Sequence, residues 1–318
     1  MKRIAVTTML LGLLVVGSAH AQVATTDFVP AAPFFVHPQT TGINGANITP
    51  DNPAAVAWGT PSRVALGALQ GSEEIKSTPG VTFDYDGKFG GLRLVGDRFG
   101  VALETSSVDL KNPPPGVSSV SIDKSNDVQL SMSLGDWLGV GVGAGKTKSE
   151  ASGDDISRKE LGVSLRINEV FYIGAAAYQD ENTPIGVVPS VSEKRNGTLY
   201  GIALRTEGNV SWYVAYDSIS LDSFDFSSYG GPVTGGFDLS RFSVQALVGW
   251  FLIGATASDL TVKDPGGGNP DVKHKAIDIG YAPMQGLTVS ARVQKVDVTN
   301  GNPDETITTK SLAVGWQF

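Results

Sequence analysis

Apolar and polar residues alternate along most of this chain. Leu161, Val163, Leu165 and Ile167 are interleaved with Gly162, Ser164 and Arg166, and Leu287, Val289, Ala291 and Val293 with Thr288, Ser290 and Arg292. Val128, Leu130, Met132 and Leu134 alternate with Gln129, Ser131 and Ser133, and Val210, Trp212, Val214 and Tyr216 with Ser211, Tyr213 and Ala215. A period of two marks a strand with one apolar and one polar face. The pattern predicts about fourteen strands, near residues 62–71, 87–95, 98–109, 126–135, 137–147, 157–168, 170–179, 195–206, 209–221, 238–249, 251–262, 273–283, 286–298 and 305–318.

A soluble sandwich would show the same alternation, so the connections decide. Short turns are expected at Gly96-Asp97, Gly135-Asp136, Asn168-Glu169, Glu207-Gly208, around Trp250 and at residues 283–285. Between them lie longer polar loops, such as residues 111–126, 179–193, 222–236 and 263–271. Short turns at one end and long loops at the other are the organisation of an outer-membrane barrel, and an even strand count puts both chain ends on the short-turn side. In lipid such strands have to close into a ring, because an open edge leaves backbone groups without partners. The expected fold is therefore all-β, a transmembrane antiparallel β-barrel in the cell outer membrane.

The last expected strand alternates through Leu312, Val314 and Trp316 to Phe318. A terminal Phe on such a strand resembles the signature that the barrel-assembly machinery recognises, which makes Trp316 and Phe318 the expected assembly signal. Aromatic residues near strand ends, Trp137, Tyr172, Trp212, Trp250, Trp316 and Phe318, are expected to form girdles at the membrane interfaces.

The N-terminus reads as a signal peptide over residues 1–21: Lys2 and Arg3, an apolar run over residues 4–16, and Ala19-His20-Ala21 as a cleavage site. That run is too short to span a bilayer as a helix, and no later run approaches the necessary length. With no cysteine there is no lipoprotein anchor, disulfide or thiolate metal site. The formal charge is −8, more negative still without Lys2 and Arg3, which argues against nucleic acid as a partner. Thirty-nine glycines, without a collagen-like period, suit turns and crowded barrel walls better than helices.

Motifs suggestive of chemistry fail on inspection. Gly143-Ala144-Gly145-Lys146-Thr147 has Val140 where a phosphate-binding loop needs its first glycine, and it lies on an alternating segment with no helix to follow. His20 leaves with the signal peptide, so His37 and His274 remain, without a zinc-protease motif or a nucleophile elbow. Acidic stretches at residues 149–155 and 264–271 lack EF-hand spacing and read as solvated loops. No catalytic residue, metal or cofactor is expected. Charged residues opposite the apolar face, Arg93, Arg166, Arg205, Asp217, Asp278 and Arg292, are expected to point into the lumen, either as an ion-pair network or along a conduction path.

Residues 22–61 lack the alternation and are rich in Pro, Thr, Ala and Asn. They contain Asn52-Pro53-Ala54-Ala55-Val56-Ala57, which resembles the Asn-Pro-Ala element before the first strand of the FadL family of outer-membrane transporters. Ala55 stands where that family commonly has glycine. The resemblance implies that residues 22–61 form a hatch, with Asn52, Pro53 and Ala54 in it, plugging a barrel formed by residues 62–318. It also implies passive uptake of a hydrophobic small molecule, fatty-acid-like or aromatic, by a monomer whose other partner is outer-membrane lipid. Two alternatives remain open on the residues alone: a general diffusion porin, and a structural or secretion-accessory barrel.

Overall fold

The computed structural model describes residues 52–58, 63–75, 82–111, 121–149, 154–168, 170–183, 191–206, 209–225, 233–234, 236–263, 271–284, 287–299 and 305–317. The expected signal peptide, most of the expected hatch, His37 and Phe318 lie outside these residues. A short 3-10 turn, Pro53–Trp58, precedes the strands. The strands are β1 (Arg63–Ile75), β2 (Thr82–Val95), β3 (Phe99–Leu110), β4 (Ser121–Leu134), β5 (Leu138–Ser149), β6 (Asp154–Ile167), β7 (Phe171–Asn182) and β8 (Glu193–Thr206). They continue as β9 (Ser211–Leu221), β10 (Phe224–Asp225), β11 (Val233–Thr234), β12 (Gly236–Val248), β13 (Phe251–Lys263), β14 (Asp271–Met284), β15 (Leu287–Thr299) and β16 (Glu305–Gln317).

All pairings are antiparallel, and fourteen of the strands close into one barrel: β1 to β9 in order, then β12 to β16, with β16 returning to β1. The seam runs from Ala65 opposite Gln317 to Ile75 opposite Ile307. β10 and β11 form a separate hairpin in the connection between β9 and β12.

Several strands extend further toward the long-loop end than alternation predicts. β1 and β2 leave only residues 76–81 between them, and β4 begins at Ser121 rather than near residue 126. Polar residues there still pair through their backbones, since pairing requires no apolar side chain above the lipid-facing region. At the other end the turns are short because their residues suit tight reversals. Asn168 adopts φ 56°, and its Oδ1 accepts the amides of Val170 at 3.0 Å and Phe171 at 3.1 Å. Gly135 supplies φ 71° in the β4–β5 turn. Pro283, expected to open a turn, lies within β14, where the register with β15 shifts between Tyr281 and Met284; having no amide to donate, proline suits such an irregularity.

The polarity of the wall is reversed relative to a soluble barrel. On β4, Val128, Leu130, Met132 and Leu134 face outward and are exposed, whereas Ser125, Asp127, Gln129, Ser131 and Ser133 are buried inside. The same holds for exposed Leu161 and Val163 against buried Arg158, Glu160 and Ser164 on β6. Trp137, Trp212 and Trp250 are exposed at or beside the short turns. Tyr172 departs from the expected girdle: it is 3% exposed and faces inward, because inward positions on β7 are the even-numbered ones.

An apolar surface of this kind is stable only in lipid. Leu130→Arg, in the middle of the outward belt, is expected to cost about 2–4 kcal/mol, whereas Asn126→Arg, nearer the rim, costs about 0–1 kcal/mol. Urea unfolding of the protein folded into vesicles measures both.

Candidate functional site: the barrel lumen

The lumen is built in layers, and segment 52–58 occupies part of it. Asn52, Ala54, Ala55 and Val56 are wholly buried, against β2 to β7. Pro53, with its fixed φ, opens the 3-10 turn. Asn52 caps it: its Oδ1 accepts the Ala54 amide at 3.0 Å, and its carbonyl accepts the Ala55 amide at 2.9 Å. The same side chain donates Nδ2 to the Val163 carbonyl of β6 at 2.8 Å. At the other end, Nη2 of Arg93 on β2 donates to the carbonyls of Ala55 and Val56, both at 2.9 Å. One amide and one guanidinium thus tie the turn to two parts of the wall.

The fit depends on glycine. A Cβ at Gly141 would meet main-chain atoms of Pro53 and Ala54 at 2.5 Å, one at Gly100 would meet Val56 at 2.8 Å, and one at Gly162 would collide with Asn52. Three wall strands therefore present bare backbone where the turn seats.

Around β6 to β14, inward residues sort by height. At the short-turn end, Arg166 lies over the Tyr172 ring at 6.0 Å and Arg205 over Tyr213 at 5.8 Å. One inward layer above Ala203 and Ala215, Arg241 of β12 pairs with Asp217 of β9 at 3.3 Å, both buried. Next come two layers that are almost entirely apolar: Ala176, Tyr178, Leu199, Ile219, Leu221, Phe237, Leu239, Leu260 and Val272 form one buried cluster. Above them Asp180 joins Arg158, at 2.6 and 2.9 Å, to Arg195, at 2.9 and 3.0 Å. Arg158 also lies over Tyr178, and Arg195 over Phe224, which the β10–β11 hairpin brings down against Ile156.

Of the residues expected in the lumen, Arg93, Asp217 and Asp278 are buried inside, and Arg166 and Arg205 are half-buried near the short-turn end. They do not form one cluster: Arg93 serves segment 52–58, Asp217 the middle ion pair, and the other two aromatic rings. Arg292 stands opposite Asp278 and Ser311 in register, but its side chain and that of Trp316 lie outside the described part of the structure. Arg158, Asp180, Arg195, Arg241 and the glycine seat stand outside the expected set. Arg158 shares the parity of Arg166, and Arg195 that of Arg205, so the same rule points to them. The seat had no such signal, because nothing in the chain pairs Gly141 with Pro53.

Gly143 to Thr147 lie on β5, not in a loop. His274 Nδ1 is 3.3 Å from Ser258 Oγ. Among the described residues no group of three or more His, Cys, Asp or Glu is placed to hold a metal ion.

A closed antiparallel barrel with an apolar exterior and a polar, ion-paired interior has the fold of outer-membrane channels and resides in the outer membrane. Comparison with solved structures bears on that fold. The chain is similar to the CymD monoaromatic hydrocarbon channel, with a TM-score of 0.54, 10% identity, and coverage of 84% of this chain and 91% of that one. It is likewise similar to the toluene transporter TbuX of Ralstonia pickettii, with a TM-score of 0.51, 11% identity, and coverage of 87% and 94%. No protein-family model and no curated protein sequence matches the chain.

Two substitutions test the geometry. Arg93→Gln weakens charge-assisted hydrogen bonds to segment 52–58 that are worth about 1.5–3 kcal/mol. Amide exchange at Ala54 and Ala55 should then quicken roughly ten- to hundredfold while the barrel persists. Asp180→Ala leaves two guanidinium groups without their shared carboxylate and is expected to destabilise the barrel by about 3–5 kcal/mol, read by urea unfolding in vesicles.

Proposed function

We propose that the protein is a passive channel for small hydrophobic molecules, with the segment around Asn52, Pro53 and Ala54 acting as a hatch. The carrying observation is the apolar layer from Ala176 to Val272, held between the Asp217–Arg241 pair and the Arg158–Asp180–Arg195 network. An aqueous pore favours polar walls along its length, whereas an apolar stretch inside a barrel offers a partition site for an apolar solute. The fold shared with a monoaromatic hydrocarbon channel and a toluene transporter supports the reading.

On this reading the long loops admit the solute, the apolar layer holds it, and movement of the hatch releases it toward the short-turn end. Lumen charges other than Arg93 rigidify the wall. No energy source is required, because the solute follows its own gradient. Trp316 and Phe318 act during assembly rather than transport.

Transport through vesicles containing the folded protein tests this. The intact protein should conduct ions poorly yet admit toluene, and Leu199→Asn with Ile219→Asn should slow toluene severalfold. Large, steady ion conductance from the intact protein, with no effect of the double substitution on toluene, would favour a general diffusion porin instead.

A further inference from the structure

The outer face of β4, β5 and β6 carries a basic patch that lumen transport does not use. Lys124 of β4 and Lys148 of β5 are direct cross-strand partners, both exposed and both pointing away from the lumen. Like charges placed opposite each other on one sheet face repel and destabilise the pair. Neither lysine makes an ion pair among the described residues, and the chain as a whole is acidic, at −8. Lys146 and Lys159 are exposed on the same face, Lys146 one outward position below Lys148. The acidic groups nearby have partners: Asp155, which stands opposite Lys148 on β6, holds Lys146 at 3.1 Å, and Glu181 lies 3.8 Å from Lys194.

Height identifies what covers the patch. Lys124 lies ten residues up β4 from Leu134, and Lys148 the same distance up β5 from Leu138. That is roughly 33 Å along a strand and, at a tilt of 35–45°, roughly 25 Å along the barrel axis, about the height of a lipid-facing apolar band. Below the lysines the outward residues are first Asn126 and Lys146, then Val128, Leu130, Met132 and Leu134 on one strand and Ala144, Val142 and Val140 on the other. The paired ammonium groups therefore stand two outward rows above the last apolar row, Val128 and Ala144, at the level of the headgroups of the long-loop leaflet, and lysine stems suit that position by snorkelling.

The geometry points to a binding site for a phosphorylated lipid headgroup on the outer face of β4 to β6, with Lys124 and Lys148 as the phosphate pair and Lys146 and Lys159 in the outward rows beneath them. A phosphate between the two lysines turns their repulsion into attraction at both. The site does not depend on what crosses the lumen.

The test uses the full-length folded protein in phosphatidylcholine vesicles with and without roughly a tenth phosphatidic acid. Thermal unfolding is read in each, and native mass spectrometry counts the phosphatidic acid retained on extraction. Phosphatidic acid should raise the midpoint of the parent protein. K124Q/K148Q should lose that gain and bind the lipid roughly fivefold more weakly per lysine removed. In phosphatidylcholine alone the double variant should be at least as stable as the parent, and K124R/K148R should keep the lipid. Heat-dependent gel mobility verifies folding, and K148Q alone carries the same comparison if the double variant does not fold. Equal retention and equal midpoint gain in parent and variant would overturn the proposal. So would loss of lipid from the arginine variant, or inorganic phosphate added to phosphatidylcholine vesicles reproducing the full gain.

Discussion

In hydrocarbon a strand can satisfy its amides and carbonyls only on another strand, so the pairing of β1 with β16 is the contact on which everything else depends. Opening that seam would expose two edges to lipid, each a row of groups costing several kcal/mol apiece. Closure then dictates what the side chains must do. Each wall strand has one face toward lipid and one toward the lumen, and the outward face takes the large apolar residues.

The inward face inherits the opposite problem, since polar and charged groups end up buried where water is scarce. The protein meets it by pairing. Asp180 serves two arginines, Arg241 has Asp217, Gln129 donates to Glu160 at 3.0 Å, and Arg93 spends its Nη2 on two carbonyls of the 3-10 turn. Buried pairs of this kind contribute little net stability compared with apolar packing, but removing one partner is costly. They therefore hold a geometry more than they hold the fold together. Here the geometry is an apolar layer with an ionic layer on either side.

The seat of segment 52–58 shows how closely wall and segment are matched. Gly100, Gly141 and Gly162 bring the wall backbone near the turn, while Asn52 and Arg93 tie it at both ends. Two polar side chains and bare glycine backbone hold the segment in one place, with Ala54, Ala55 and Val56 buried against the wall.

The order of apolar and polar residues along the chain was sufficient by itself to establish strands, antiparallel connections, an outward apolar face and loops sorted by length, because those properties follow from a period of two and local turn chemistry. Parity alone also assigns Arg93, Asp217 and Asp278 to the inward set, without saying what each one meets. Tyr172 is the exception: an aromatic near a strand end suits the interface, yet its even-numbered position on β7 turns it inward. Which charges meet, which glycines face Pro53, how Phe224 reaches Arg195 and which lysines stand opposite each other were settled by the closed tertiary structure. Those contacts join residues tens to more than a hundred positions apart, and their partners follow from strand register and barrel curvature, which no local pattern encodes.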